Sequence, residues 1–247
     1  MTEKTPSWQR WLLLSSAVAA IAATSSLGMW QLSRADEKLS LQAAREQQSA
    51  KEVLGGGSLA QRDDAVNKRQ ELIHRRMVLK GRWLPQHTLY LDNRQMNAKP
   101  GFYVLTPMHL EGTEVVVMVQ RGWAQRSFTD RTALPSIQTP DGGVEVQGHL
   151  APWPSRLYDF GGPEDGPIRQ NLHLENFRKE TGLNVLEVSL LQSGPASEGL
   201  LREWPKVASG VEKHHGYAFQ WFGLSGLIAL LYVWFQIVQP RRQKQPA

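Results

Sequence analysis

The sequence predicts an integral membrane α+β protein, with two transmembrane helices flanking an outward-facing domain built on an antiparallel β-sheet or barrel. Three observations carry this reading. Two long stretches lack any charged residue, the chain between them is rich in short β-forming segments, and the surplus positive charge lies at the two ends.

The second uncharged stretch is the cleaner of the two. No Asp, Glu, Lys or Arg falls between Lys213 and Arg241, and Gly216 to Val238 alone is 23 residues. A bilayer core takes about 20 helical residues to cross. Tyr217, Trp221, Tyr232 and Trp234 lie toward the ends of the run, where amphipathic rings favour the headgroup zone. A buried helix of a soluble domain is the competing account, but such helices rarely stay uncharged for so long.

The first stretch, "WLLLSSAVAAIAATSSLGMWQLS", carries no charge between Arg10 and Arg34. Lys4 and Arg10 ahead of it and "AIA" at Ala20 to Ala22 fit a cleavable signal peptide. The run continues past that site to Ser33, with Trp30 as an interfacial aromatic, and this favours an uncleaved anchor. The expected organisation is a cytoplasmic tail 1–10, a transmembrane helix 11–33, a periplasmic α+β domain 34–213, a second transmembrane helix 214–238 and a basic cytoplasmic tail 239–247.

The net charge of +5 divides unevenly along the chain. Lys4 and Arg10 against Glu3 give the first tail +1, Arg241, Arg242 and Lys244 give the last tail +3, and the 180 residues between the spans carry +1. Positive tails stay on the cytoplasmic side, so both termini are expected there and the domain outside. Without a basic patch on the domain, nucleic acid is excluded as a partner. The lipid bilayer is the expected one. Cysteine is absent, which excludes thiolate metal sites, a CxxC redox pair and covalently attached haem.

Arg34 to Val53 is rich in helix formers and free of Gly and Pro, so it extends the first helix into water until "GGGS" at Gly55 to Ser58 breaks it. Leu59 to Arg76 is expected to form a short polar helix with a solvated face. From Met77 the pattern changes to "MVLKGRWL", "HTLYLDNRQ", "GFYVLTPMHL", "EVVVMVQRGWA" and "VEVQGHL", short segments rich in Val, Leu and aromatics and separated by turn residues. "EGTE" at Glu111 to Glu114 fits a hairpin loop. "LHLENFRKETG" predicts a helix turning at Gly182, and "NVLEVSLLQ" a last strand.

Hydrolase, P-loop and dinucleotide signatures are missing, and no carboxylate pair is singled out by its spacing. Met96, Met108 and Met118 are expected as core fillers. His74, His87, His109, His149 and His173 are dispersed and are expected as surface or hydrogen-bonded histidines. The membrane edge differs. His214, Tyr217, Ala218 and Trp221 share one helical face, which His215 does not. Small residues Ala218, Ser225 and Ala229 on one helix, and Ser15, Ala19, Ala22 and Ser26 on the other, would let the two pack closely. An imidazole among aromatic rings at the outer mouth suits a flat ligand such as a porphyrin, with the ring as an iron ligand. The bland alternative is a histidine that anchors its helix in the headgroups. Arg34 could pair with a propionate or a lipid phosphate, or simply snorkel to the interface.

Several of these segments resemble one family. "GMWQLSRADEK" (Gly28 to Lys38), "KPGFYVLTP" (Lys99 to Pro107), "VVVMVQRGWAQ" (Val115 to Gln125), "PDGGVEVQGHL" (Pro140 to Leu150) and "HHGYAFQWFGLSG" (His214 to Gly226) are similar, in order, to the motifs of Surfeit locus proteins, assembly factors of cytochrome c oxidase. The chain departs at Gln120, at Ala124-Gln125 and at Glu212-Lys213. The resemblance implies two membrane spans, a non-enzymatic role in maturing the large haem-bearing oxidase subunit, and haem a as a transient cofactor. It makes His214 the haem-linked residue; Tyr217 and Trp221, from the shared helical face, and Arg34, from its guanidinium, are the other cofactor-contacting candidates. A haem a synthase is a second expected partner. The expected location is a bacterial inner membrane, because no Arg- and Ser-rich presequence precedes the first span. A docking factor that binds no haem and an outer-face enzyme of unknown type are the alternatives.

Overall fold

The computed structural model describes residues 7–60, 65–158, 166–205 and 210–242. It comprises two compact units, one formed by Met1–Ala44 with Val207–Ala247 and the other by Arg45–Lys206.

Helix α1 runs unbroken over Ser7–Ala50. At 1.5 Å per residue it is about 66 Å long, roughly twice the hydrocarbon thickness of a bilayer. It passes through Ala20 to Ala22 without a break. After a two-residue strand β1 (Leu54–Gly55) come two short helices, α2 (Gly57–Ala60) and α3 (Ala65–Glu71). The polar helix expected over Leu59 to Arg76 is therefore shorter. Asp63 and Asp64 lie outside the described residues, and the chain leaves α3 through His74, whose φ of 73° is incompatible with a continuing helix.

The strands fall where the short β-forming segments predict them: β2 (Arg76–Trp83), β3 (Leu89–Met96), β4 (Lys99–Leu110), β5 (Val116–Gln125) and β6 (Gly143–Pro152). The EGTE segment turns β4 into β5, with the Leu110 amide donating to the Val115 carbonyl across it. A short β7 (Ile168–Arg169), helix α4 (Leu174–Thr181) and β8 (Val185–Gln192) complete the domain. Helix α4 stops at Gly182 as expected, its amide returning to the Arg178 carbonyl.

The pairings close a ring. Strand β2 lies beside β6, β6 beside β8, β8 beside β5, β5 beside β4, and the end of β4 returns to β2 through Gly81–Leu110 and Trp83–Met108. The first half of β4 bends away to pair with β3, which carries β7 on its far side. The expectation of an antiparallel sheet is corrected here, because β8 runs parallel to β5. Ring parity is the reason. Strand directions can alternate around a closed ring only if the number of strands is even, so a five-stranded barrel contains at least one parallel pair.

Apolar side chains fill the barrel from alternate positions, Met77, Leu79 and Trp83 from β2, and Val146 and Leu150 from β6. Strand β5 does not alternate. Val117 and Val119 point into the barrel, while Val116 and Met118 join Phe177 of α4 in a second core. A strand covered on both faces reads as a continuous apolar run, hence "VVVMV". Met96, Met108 and Met118 are all buried, as expected of core fillers.

The second long helix, α5, spans Val211–Val233 and continues through one π-helical turn (Trp234–Val238) into α6 (Gln239–Arg242). Both long helices are apolar enough to cross a membrane, and only 11% and 6% of their most apolar windows is buried within the structure. A core helix of a soluble protein would be mostly covered.

Candidate functional site at the helix seam

On α5 the covered positions include Val211, His214, Ala218, Trp221 and Ser225. On α1 they include Thr24, Gly28, Gln31 and Ala35. Both sets step by three and four residues, the spacing of a helix–helix seam. Two hydrogen bonds give the direction. Ser25 Oγ lies 2.9 Å from Ser225 Oγ, and Gln31 Oε1 lies 2.7 Å from His214 Nδ1, so the helices are antiparallel.

Gly28 lies against Phe222 of the facing helix. A Cβ there would come within 2.8 Å of the Phe222 ring. Small residues allow this approach, as expected for helices that pack without a hydrophobic drive between them. Ala218 and Ser225 are buried as predicted, but the stripe expected on α1 is corrected. Ser15, Ala19, Ala22 and Ser26 are all exposed. Any 3.6-residue period leaves several equivalent small faces on an Ala- and Ser-rich helix. The bulk of Phe222 and the hydroxyl of Ser225 select the face containing Gly28 and Ser25.

His214 is half-buried and clamped by Gln31, whereas His215 is exposed. Trp221 is half-buried on the same seam, two turns along. Tyr217 turns outward with 51% of its surface exposed, so the face expected to hold it with His214 is split. Arg34 is engaged within its own helix, paired with Glu37 at 2.7 Å and lying 5.8 Å from the centre of the Trp30 ring. The structure thus brings His214 together with Gln31. It places Tyr217 and Arg34 on exposed flanks of the two helices. Gln31 enters the sequence reading only within the segment Gly28 to Lys38. Its signal was a lone amide on the last uncharged turn before Arg34.

The Val115 to Gln125 segment of the barrel domain has a structural role. Arg121 is fully buried in β5. It donates to the Gln138 carbonyl at 2.6 Å and the Thr139 hydroxyl at 2.7 Å, pairs with Glu198 at 2.9 Å, and sits 4.8 Å from the centre of the Trp83 ring. Trp123 donates from Nε1 to the Arg94 carbonyl and exchanges backbone bonds with Leu201. The "QRGW" stretch therefore fastens the segment around 197–202 to the barrel wall. A cleft of about 630 Å³ at one end of the barrel is lined by Lys80, Arg82, His109, Glu111 and Glu145. Its charges largely compensate, with Lys80 3.5 Å from Glu145. Among the described residues no group of three or more His, Asp or Glu side chains is arranged to hold a metal ion.

Fold and seam together define a class, a small closed β-barrel domain carried between two helices of membrane-spanning length that pair through a polar clamp. The model of the SURF1 family matches residues 18–226, and the chain belongs to that family. It is 26% identical over 214 residues to a SURF1-like protein of Rickettsia bellii (strain RML369-C), covering 83% of each chain. It is 27% identical over 216 residues to a SURF1-like protein of Rickettsia conorii (strain ATCC VR-613 / Malish 7), covering 84% of each. With Surfeit locus protein 1 of Homo sapiens it shares 26% identity over 248 residues, 93% of this chain and 77% of the human one. The helices and these relatives together mark a membrane protein.

Proposed function

We propose that the chain is a non-catalytic assembly factor for haem–copper cytochrome c oxidase, which holds haem a in transit to the large catalytic subunit. Family membership supports the role in oxidase assembly. The observation that carries the haem reading is His214 itself, a half-buried imidazole on the helix seam at the end of the uncharged run. The donor set fits the group. One imidazole can ligate iron, the Trp221 ring follows it two turns along the seam, and the lipid-facing side, where Tyr217 is exposed, accepts an apolar tail whose exposure to water costs ~25 cal/mol per Å². Haem bound there would supply the prosthetic group of the oxidase rather than any reaction on this chain. A single protein ligand at a partly open position favours release over permanent retention. Arg34, already held by Glu37, is available to a propionate or a lipid phosphate by exchanging partners.

In this reading both termini are cytoplasmic and the barrel domain lies outside, because Arg241 and Arg242 follow the second helix. Tags at Met1 and Ala247 then report cytoplasm, and a tag within Gly55 to Ser58 reports the outer side. The decisive experiment is a visible spectrum of the chain purified from a host that makes haem a. A Soret band is expected in the wild type and its loss in His214→Ala at unchanged membrane level, with little effect of His215→Ala. Equal haem in wild type and His214→Ala would falsify the ligand role. Loss of oxidase on deletion, with no haem ever bound, would leave a docking factor. Normal oxidase on deletion would leave an outer-face enzyme.

A further inference from the structure

The structure assigns to Gln31 the task of positioning His214: its amide oxygen fixes the imidazole in the tautomer and orientation that leave Nε2 bare for a ligand. This rests on the haem reading above and deepens it. The contact is Nδ1 to Oε1 at 2.7 Å, across two helices and 183 residues of chain. An amide oxygen has lone pairs and no proton, so the shared proton must come from Nδ1. A neutral imidazole carries one N–H, and with that proton on Nδ1 the lone pair lies on Nε2.

The bond restrains the ring, because both partners are at covered seam positions and their helices are locked nearby by Ser25–Ser225 at 2.9 Å. Metal-ligating histidines almost always donate their second ring N–H to an acceptor, which sets the ring and raises its basicity. Gln31 supplies that acceptor without a charge. A neutral acceptor strengthens the donor nitrogen less than a carboxylate would, which suits a ligand that must let go.

The test uses the full chain in detergent, with histidine labelled at nitrogen-15, first haem-free and then titrated with ferric haem b. The wild type is expected to show the neutral His214 ring protonated at Nδ1 and bare at Nε2. Gln31→Met, which keeps the volume of the seam, should scramble that pattern and weaken haem b binding by about 10- to 100-fold. It should also lower the iron–imidazole stretching frequency of the reduced complex. Gln31→Glu, which keeps an acceptor oxygen and adds charge, should restore the pattern and hold haem b at least as tightly as the wild type. A nitrogen pattern and affinity unchanged in Gln31→Met, with haem lost in His214→Ala, would overturn this inference alone. Haem retained in His214→Ala would overturn the haem reading and this inference with it. A far-ultraviolet circular dichroism spectrum identical to wild type in both Gln31 variants shows that the helices still form.

Discussion

The carboxylate of Glu198 lies 2.9 Å from the guanidinium of Arg121, which is sealed from water inside the barrel domain. The same carboxylate takes a second guanidinium, Arg202, at 3.3 Å. One anion thus ties a buried cation of β5 to the 197–202 segment. Breaking such a pair from one side strands the other charge. Glu198→Gln keeps the shape and removes the charge, and is expected to cost about 3 kcal/mol. Urea unfolding of the full chain in detergent measures it. A loss below about 1 kcal/mol would mean that Gln138 and Thr139 already satisfy Arg121.

Gly122, next to Arg121, leaves no room for a side chain. A Cβ there would stand 2.7 Å from the Leu201 carbonyl oxygen and 2.8 Å from Leu200 Cβ. Gly122→Ala should push the Leu201 bridge off β5. The expected signature is faster hydrogen exchange at the Trp123 and Leu201 amides, which bond each other's carbonyls, with little change at the β2–β6 amides. Protection unaltered at both residues would refute the close-packing account.

The helix seam can be tested with thiols, because the chain has no cysteine of its own. Ser25→Cys with Ser225→Cys places two sulfurs where the hydroxyls now meet at 2.9 Å. Mild oxidation should protect both from a maleimide reagent, and reduction should restore labelling. Adding Gly28→Leu should sharply slow the crosslink, since Leu would collide with Phe222. Full labelling after oxidation of the double variant would rule out the antiparallel register.

Acid should destabilise the domain through two histidines. Burial, then the positive Arg45 and the His149 ring, hold His74 below the ordinary histidine range, and burial followed by Arg76 does the same for His149. A base with a depressed folded pKa takes its proton first in the unfolded chain. Stability is therefore complete above ~6.5 and falls as pH drops through that value and then through the lower folded ones. His74→Asn, chosen because Asn tolerates the φ of 73°, together with His149→Gln should flatten this slope in melting curves between pH 7 and pH 5. A slope identical to wild type would remove both groups from the acid response. Glu187 acts on the next limb down. Burial raises it, but the Arg69 hydrogen bond, a backbone hydrogen bond and the charges of Arg69 and Arg178 together outweigh burial and leave it below the usual carboxylate range. Its contribution is present above the ordinary carboxylate pKa and lost as pH falls through the folded one.

By itself the sequence determined every feature written in local periodicity. The uncharged runs, the alternation of "MVLKGRWL", the turn at EGTE and the stop at Gly182 each depend on the backbone and side chains of a few neighbouring residues. So does the place of His214 on the covered face of its helix. Tertiary structure alone decided the rest, because it depends on partners far along the chain. Strand β8 lies parallel to β5 because five strands must close a ring, which no segment of the sequence encodes singly. The face of α1 that packs is set by Phe222 and Ser225, about 200 residues away, while the equally small stripe through Ala19 and Ala22 is left exposed. Gln31 reads as an unremarkable polar residue at the end of an apolar run until the second helix brings an imidazole to within 2.7 Å of it. A hydrogen bond between neutral side chains has no periodic signature, so only the packed helices could reveal it.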